Sequence, residues 1–279
     1  MLKTQIELAS STLAAFQVYD LGQPYFNGMP VFPEDPPFNI VIYRYHDYTK
    51  HIYEEVAPGF SDSMELVITS MHSGTHIDAK CHMARNGTLH GNVKASDISR
   101  HTGYLKYGTE EIPIYFRRAV LFDVPASKGL DILPSRYGIT AADLEDCLRF
   151  ENVELREGDV ALIRTGYSRY FTTDKEKYLH DFAGITEESA KWLIDRRISL
   201  LGIDNLAMAV PKPFNVHLMF LVDAGIHVMK SLYLEELAKD KAYTSIIIVT
   251  PLKIVGGTGS LIRPIALVPR PGFKIVSVE

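Results

Sequence analysis

The chain has 279 residues, of which 46% are hydrophobic and 23% charged, the proportions of an ordinary globular protein and not of a disordered or fibrous one. Its 29 Lys and Arg against 34 Asp and Glu leave a formal charge of −5, and no basic run is longer than Arg117-Arg118 or Arg196-Arg197, so nucleic acid is not an expected partner. Two cysteines, Cys81 and Cys147, are too few for a disulfide framework at this length and fit a reducing compartment.

In chain order, Met1 to Phe16 carries one Lys and no unbroken apolar core, which matches neither a signal peptide nor a membrane span. The expectation is a cytoplasmic protein with no membrane partner. Prolines at 24, 30, 33, 36 and 37 predict extended segments and turns wrapping the core, with no helix in the N-terminal third. Five β-branched runs predict core strands: Glu65 to Thr69, Ala119 to Val124, Val160 to Arg164, Ser199 to Ile203 and Ser245 to Thr250. Helices are predicted between them. One runs over Ser96 to His101, another over Ala141 to Phe150 behind an N-cap at Thr140, and a third over Ala190 to Arg197, where Thr186, Glu187 and Glu188 supply a cap and an acidic first turn. A fourth lies around Leu234 to Ala238. With no repeat and no linker, 1–279 reads as one domain. Its helices are too irregularly spaced for a purely parallel doubly wound sheet, so the pattern argues for α/β or α+β, with mixed α/β, a mixed central sheet with flanking helices, as the expected class.

The chemistry concentrates in Ser70-Met71-His72-Ser73-Gly74-Thr75-His76-Ile77-Asp78-Ala79-Lys80-Cys81-His82, with three histidines and an aspartate within eleven residues. Neutral imidazole and carboxylate together suit Zn, Mn or Fe, and three protein ligands leave positions open for water and substrate. His76 and Asp78 lie two apart, so in an extended chain both project to one face with Ile77 on the other. Gly74 permits a sharp turn that lets His72 reach the same ion. The zinc-protease pattern is excluded, because it needs a helix and a glutamate where Ser73 stands.

His72-Ser-Gly-Thr-His76-Ile-Asp78 with His82 resembles the signature of the cyclase family, which includes kynurenine formamidases and isatin hydrolases. The resemblance extends to Asp20-Leu-Gly-Gln-Pro24, Gly28-Met-Pro30, Leu162-Ile-Arg-Thr-Gly166, Gly202-Ile-Asp204 and the stretch from Pro251 to Ser260, and it is nearer the isatin hydrolase side. It implies a swivelling β/β/α fold, a homodimer or homotetramer, a metal on His72, His76 and Asp78, and His82 as proton shuttle. Formamidases of the family hold two zinc ions, the second bridged by the aspartate and completed by a distal histidine and a glutamate; isatin hydrolase resembles a single-manganese enzyme. Here His217 matches the distal histidine, while Lys230 stands where the glutamate is expected. An ammonium near Asp78 would supply part of the second ion's charge without binding one, so one Mn2+ or Zn2+ per chain is expected.

The function implied is hydrolytic opening of a small aromatic cyclic amide like isatin by a metal-activated water, with an aryl formamide such as N-formylkynurenine, or a lactone, as the alternative substrate. Tyr25, Phe26, Phe32 and Phe38 are candidates to hold an aromatic ring, although the same residue types build cores. The Gly256-Gly-Thr-Gly-Ser260 stretch lacks the ending of a phosphate loop and reads as a tight turn. Arg164-Thr-Gly166 closes a strand, as a loop facing the site or as a plain turn. His76, Asp78 and His217 also outline the facial triad of non-haem iron oxygenases, but His72 and His82 then have no role and no arginine follows His217 between Leu218 and Met229. A metal-binding member without catalysis is the remaining alternative.

Overall fold

The apolar runs of the second half of the chain lie side by side in the computed structural model, which describes residues 15–270. All but the last two residues of the Met1 to Phe16 stretch therefore fall outside the described residues. The main sheet has nine strands: β1 Phe16–Asp20, β2 His76–Asp78, β3 Tyr115–Asp123, β4 Val160–Arg164, β5 Leu200–Ile203, β6 His227–Lys230, β7 Thr244–Val249, β8 Gly259–Leu261 and β9 Ile265–Pro269. Their spatial order is β1-β9-β7-β3-β4-β5-β6-β2-β8. The central four, β3 to β6, are parallel. Antiparallel strands flank them on both sides, β7, β9 and β1 on one and β2 and β8 on the other. The fold is the mixed α/β class expected.

In β3, β4 and β5 the stretches 119–122, 160–163 and 200–203 are unbroken apolar runs because both of their faces are covered. Val120, Phe122, Ala161, Ile163, Leu201 and Ile203 point into one apolar layer, whose helices are α2 (Ala141–Glu151) and α3 (Glu187–Asp195). Ala119, Leu121, Val160, Leu162 and Leu200 point into the opposite layer. Both helices begin as their sequences dictate. Thr140 and Asp143 form a reciprocal capping box ahead of α2, and Thr186 and Ser189 form another ahead of α3. The predicted strands at 119–124, 160–164, 199–203 and 245–250 and the helix near 234–238 all appear, the last as Glu235–Lys239.

Three expectations are corrected. The N-terminal third does contain a helix, α1 (His46–Tyr53): the prolines at 24, 30, 33, 36 and 37 all precede it, and Asp47 in the first turn with Lys50 and His51 in the last complement the helix dipole. The helix expected over Ser96 to His101 is a single turn, Ala95–Ile98, and Ser99–Arg100 is already paired as strand with Gly103–Tyr104. The run at Glu65 to Thr69 does form a strand, Met64–Ile68, but not a core one. Among the described residues it pairs only with Asn39–Arg44, and all five of its residues are exposed. β-Propensity predicted the strand, yet burial needs a second layer, and no described element covers this arm.

One buried acid makes the core sensitive to pH. Glu151 at the end of α2 is 7% exposed, accepts the Asp123 N–H at 2.7 Å through Oε1, and has no partner for Oε2. Burial pushes its carboxyl from 4.5 up to about 8 against the pull of that hydrogen bond. Between those values the folded state holds a proton that the unfolded chain has lost, so stability is full below pH 4.5 and declines as pH rises toward 8. Glu151→Gln keeps the shape without the ionisation. In urea titrations it is expected to match the parent at pH 5 and to exceed it at pH 8 by roughly 1–4 kcal/mol. A parent and variant that stay parallel across that window would refute the buried neutral acid.

Candidate metal centre

The His72 to His82 segment turns sharply and then enters the sheet. Gly74 has φ +54°, a left-handed conformation that favours glycine, and a Cβ there would come within 2.8 Å of the Tyr25 ring. Past this turn, His76–Asp78 is β2, extended as its spacing predicts, with Ile77 buried in the layer opposite the two ligand-type side chains. Register completes the face. Asp78 pairs with Val228 and Gly259, and His76 with Lys230 and Leu261, so Lys230 rises beside the carboxylate from the neighbouring strand.

Asp78 is fully buried and is the hub. Its Oδ1 lies 2.8 Å from His72 Nδ1 and 3.5 Å from His76 Nε2; its Oδ2 lies 3.4 Å from Lys230 Nζ and 3.6 Å from His217 Nε2. His217 arrives from the helix Pro213–Leu218, which runs directly into a π-helical turn, Met219–Ala224. The His82 ring stacks on His72 with centroids 3.8 Å apart. Thus the structure brings together all six residues singled out from the sequence: His72, His76, Asp78, His82, His217 and Lys230. Lys230 is 7% exposed and is no surface lysine.

Charge follows from burial and neighbours. Burial alone would raise the Asp78 carboxyl, but Lys230 foremost holds it well below the usual carboxylate range, so it is ionised. Burial lowers His76, and lowers His82 to about 3 despite the Asp78 charge, so both rings are neutral at pH 7. This donor set suits a divalent ion. His76 Nδ1 donates to the Gly74 carbonyl at 2.8 Å, which fixes the tautomer and turns a bare Nε2 toward Asp78; that buried nitrogen has no hydrogen-bond partner among the described residues. One ligand atom each from His72, Asp78 and His82 also lie within 4.8 Å of one another, so His82 stands close enough to share an ion with them.

The Cyclase family model matches residues 19–210, more than two thirds of the sequence and the whole of the His72 to His82 segment. The chain belongs to the cyclase family. Among its cyclase relatives, cyclase-like protein 2 of Oryza sativa subsp. japonica is 25% identical over 217 residues, 77% of this chain and 68% of that protein. Kynurenine formamidase of Sphingopyxis alaskensis is 23% identical over 251 residues, 89% of this chain and 97% of that protein. A solved novel cyclase superposes with a TM-score of 0.83 at 27% identity, covering 93% of this chain and 89% of that one. Isatin hydrolase A from Labrenzia aggregata shares the cyclase fold, with a TM-score of 0.70 at 22% identity over 95% of this chain and all of that one.

Within this cyclase fold, several residues that hold the site escape a reading of local sequence. Thr258 Oγ1 lies 3.0 Å from His72 Nε2, so the Gly256 to Ser260 stretch is more than a tight turn: it turns at Gly256 and then becomes the edge strand β8. Asp204 is fully buried and accepts from Thr165 N, Thr165 Oγ1 and Gly166 N, which fixes the Arg164-Thr-Gly166 strand end. Thr75 Oγ1 accepts from Gln23 N and donates to the Ser231 carbonyl, tying the histidine turn to the N-terminal segment and to the residue after Lys230. Of the four aromatic candidates, Tyr25 lies against the turn, its hydroxyl 2.5 Å from the Thr75 carbonyl. Phe38 is buried beside Tyr25, Phe32 packs on the same apolar cluster, and Phe26 is edge-on to Phe171.

Gly259, opposite Asp78, has its own role. A Cβ there would lie 2.6 Å from His72 Cε1, so the absent side chain is the space the ring occupies. Gly259→Ala is expected to displace the ring from Asp78 and weaken metal binding about 10- to 100-fold. Competition with a chelating dye measures it; unchanged affinity would show that His72 does not hold the ion.

Proposed function

We propose that this cyclase-family chain is a metal-dependent hydrolase that opens a small aromatic cyclic amide of the isatin type, using one Mn2+ or Zn2+ per chain. The observation that carries this reading is the meeting of His72, His76 and His82 on one fully buried, ionised Asp78, with His76 Nε2 bare and aimed at it. His72, His76 and Asp78 would hold the ion. When bound, it lowers the pKa of water toward neutrality and polarises the scissile carbonyl. Asp78 orients His72 through the 2.8 Å contact, and the Gly74 carbonyl orients His76. His82, stacked on His72, is placed to take the proton from the attacking water and return it to the departing nitrogen. A ring amide leaves as an aniline, which makes that second transfer easier than for an alkyl amide. Lys230 contributes fixed positive charge beside Asp78, which supports one ion over two. Tyr25 is the aromatic side chain best placed to meet a substrate ring at the histidine turn.

The oxygenase outline is disfavoured because His72 and His82, which it does not use, converge on the same carboxylate. Formamidase activity is the second reading, supported by the relative of that name that aligns over 89% of this chain. The exposed arm gives the oligomer implied by the resemblance a surface to bury: Val41, Ile42, Leu66, Val67 and Ile68 are each half exposed or more. Absorbance assays of isatin and N-formylkynurenine opening, with chelated and metal-restored protein, test the substrate assignment. Isatin turnover lost on chelation and restored by Mn2+ or Zn2+ is expected. Preference for N-formylkynurenine would transfer the protein to the formamidase reading, and turnover of neither by metal-loaded protein would count against both.

A further inference from the structure

A second polar cluster lies at the other end of β6 from Lys230. His227, the first residue of that strand, is 7% exposed, and its Nδ1 is 2.7 Å from the Tyr115 hydroxyl. Burial raises the Tyr115 phenol and lowers His227 to about 4, so both are neutral and the phenol is the donor. A neutral ring that accepts at Nδ1 carries its proton at Nε2, which makes that edge a hydrogen-bond donor. Lys80, partly buried in the turn that leaves β2, makes no hydrogen bond or ion pair with any described residue.

Lys80, His227 and Tyr115 line one cavity of about 240 Å³, with backbone walls at Gly108 and Gly225. Gly225 has φ +68°, and a Cβ there would strike the His90 ring at 2.5 Å, so this wall stays bare. That volume is below the ~300 Å³ at which pockets for drug-sized molecules begin, and suits a small ion with its hydration. The carboxylate at this cavity, Glu111, is exposed and has Oε1 engaged by the Tyr107 N–H at 2.9 Å. The Glu111 charge reaches Lys80 through space but forms no ion pair with it, so among the described residues the partly desolvated ammonium stands beside a neutral N–H donor without a paired anion, an arrangement completed by a small anion with several acceptor oxygens. Positions 227 and 230 lie on opposite faces of the strand, so this cavity does not open onto the Asp78 face.

We infer that Lys80 and His227 form a second binding site, for a small oxyanion, either inorganic phosphate or a short carboxylate. Lys80 Nζ supplies the charge and His227 Nε2–H the directed bond. The inference does not depend on the reaction at the metal centre.

Scanning calorimetry of the metal-loaded protein tests it, with about 50 mM phosphate, acetate or chloride at fixed ionic strength. Phosphate or acetate is expected to raise Tm above chloride, and the larger increment names the anion. Lys80→Gln should reduce that increment several-fold at unchanged metal content. Glu111→Gln, at an exposed position that leaves folding intact, should enlarge it by removing the repelling carboxylate. An increment the same in Lys80→Gln belongs to binding at the metal centre and overturns the site, as does the absence of any increment in the parent or of any gain in Glu111→Gln.

Discussion

Asp78→Asn is expected to abolish both metal binding and turnover, the largest effect of any single substitution in this chain. The carboxylate is fully buried, with His72 and His76 on one oxygen and Lys230 and His217 on the other. Asparagine preserves shape but removes the charge that a divalent ion needs among neutral rings, and it leaves the Lys230 ammonium buried without its counter-ion. Breaking a buried pair in this way costs about 3–5 kcal/mol. For a chain of this length that is a fall in Tm of roughly 10 °C. Elemental analysis should find well under ~0.1 ion per chain, and turnover should fall by more than ~10³. Lys230→Met in the Asp78→Asn background should recover part of the lost Tm without restoring the metal, since it removes the stranded charge. Full metal occupancy in Asp78→Asn would show that the histidines alone bind the ion.

His82→Ala separates chemistry from metal binding. His82 stacks on His72 at 3.8 Å and lies in the turn after β2, where its backbone N–H donates to the Ala79 carbonyl. If it moves protons, its removal should lower the rate of amide opening by ~10² to 10⁴ while the ion stays bound, because His72, His76 and Asp78 remain. The loss should be smaller for an ester analogue, whose alkoxide leaves with less need of a proton. Since a ligand atom of His82 lies within 4.8 Å of those of His72 and Asp78, the variant also decides between base and ligand. Loss of the ion together with activity would assign His82 to the metal.

Much of this was legible because the decisive constraints are local. His76 and Asp78 share a face by strand period alone, and Gly74 marks the turn before them. β3, β4 and β5 were readable because burial on both faces makes them continuous apolar runs, and α2 and α3 because Thr140 and Thr186 cap them. What stayed hidden depends on distant parts of the chain. Thr258 meets His72 across 186 residues, and the pairing of Asp78 with Gly259 is a matter of sheet register. Asp204 meets Thr165 at a separation of 39: both segments carry the family resemblance, but their contact is a matter of tertiary packing. The strand at Met64–Ile68 has core composition but is exposed among the described residues, which composition cannot reveal. Lys230 lies between these cases: its position opposite the expected glutamate was visible, but its 3.4 Å approach to Asp78 required the strand pairing.

The most direct test of the metal assignment is elemental analysis of the protein purified without added metal. A single-metal hydrolase built on His72, His76 and Asp78 predicts about one manganese or zinc per chain, retained in His82→Ala and lost in Asp78→Asn. Two ions per chain would contradict the reading of Lys230 as a substitute for the second ion, and no bound metal under any condition of purification or reconstitution would overturn the metal centre itself.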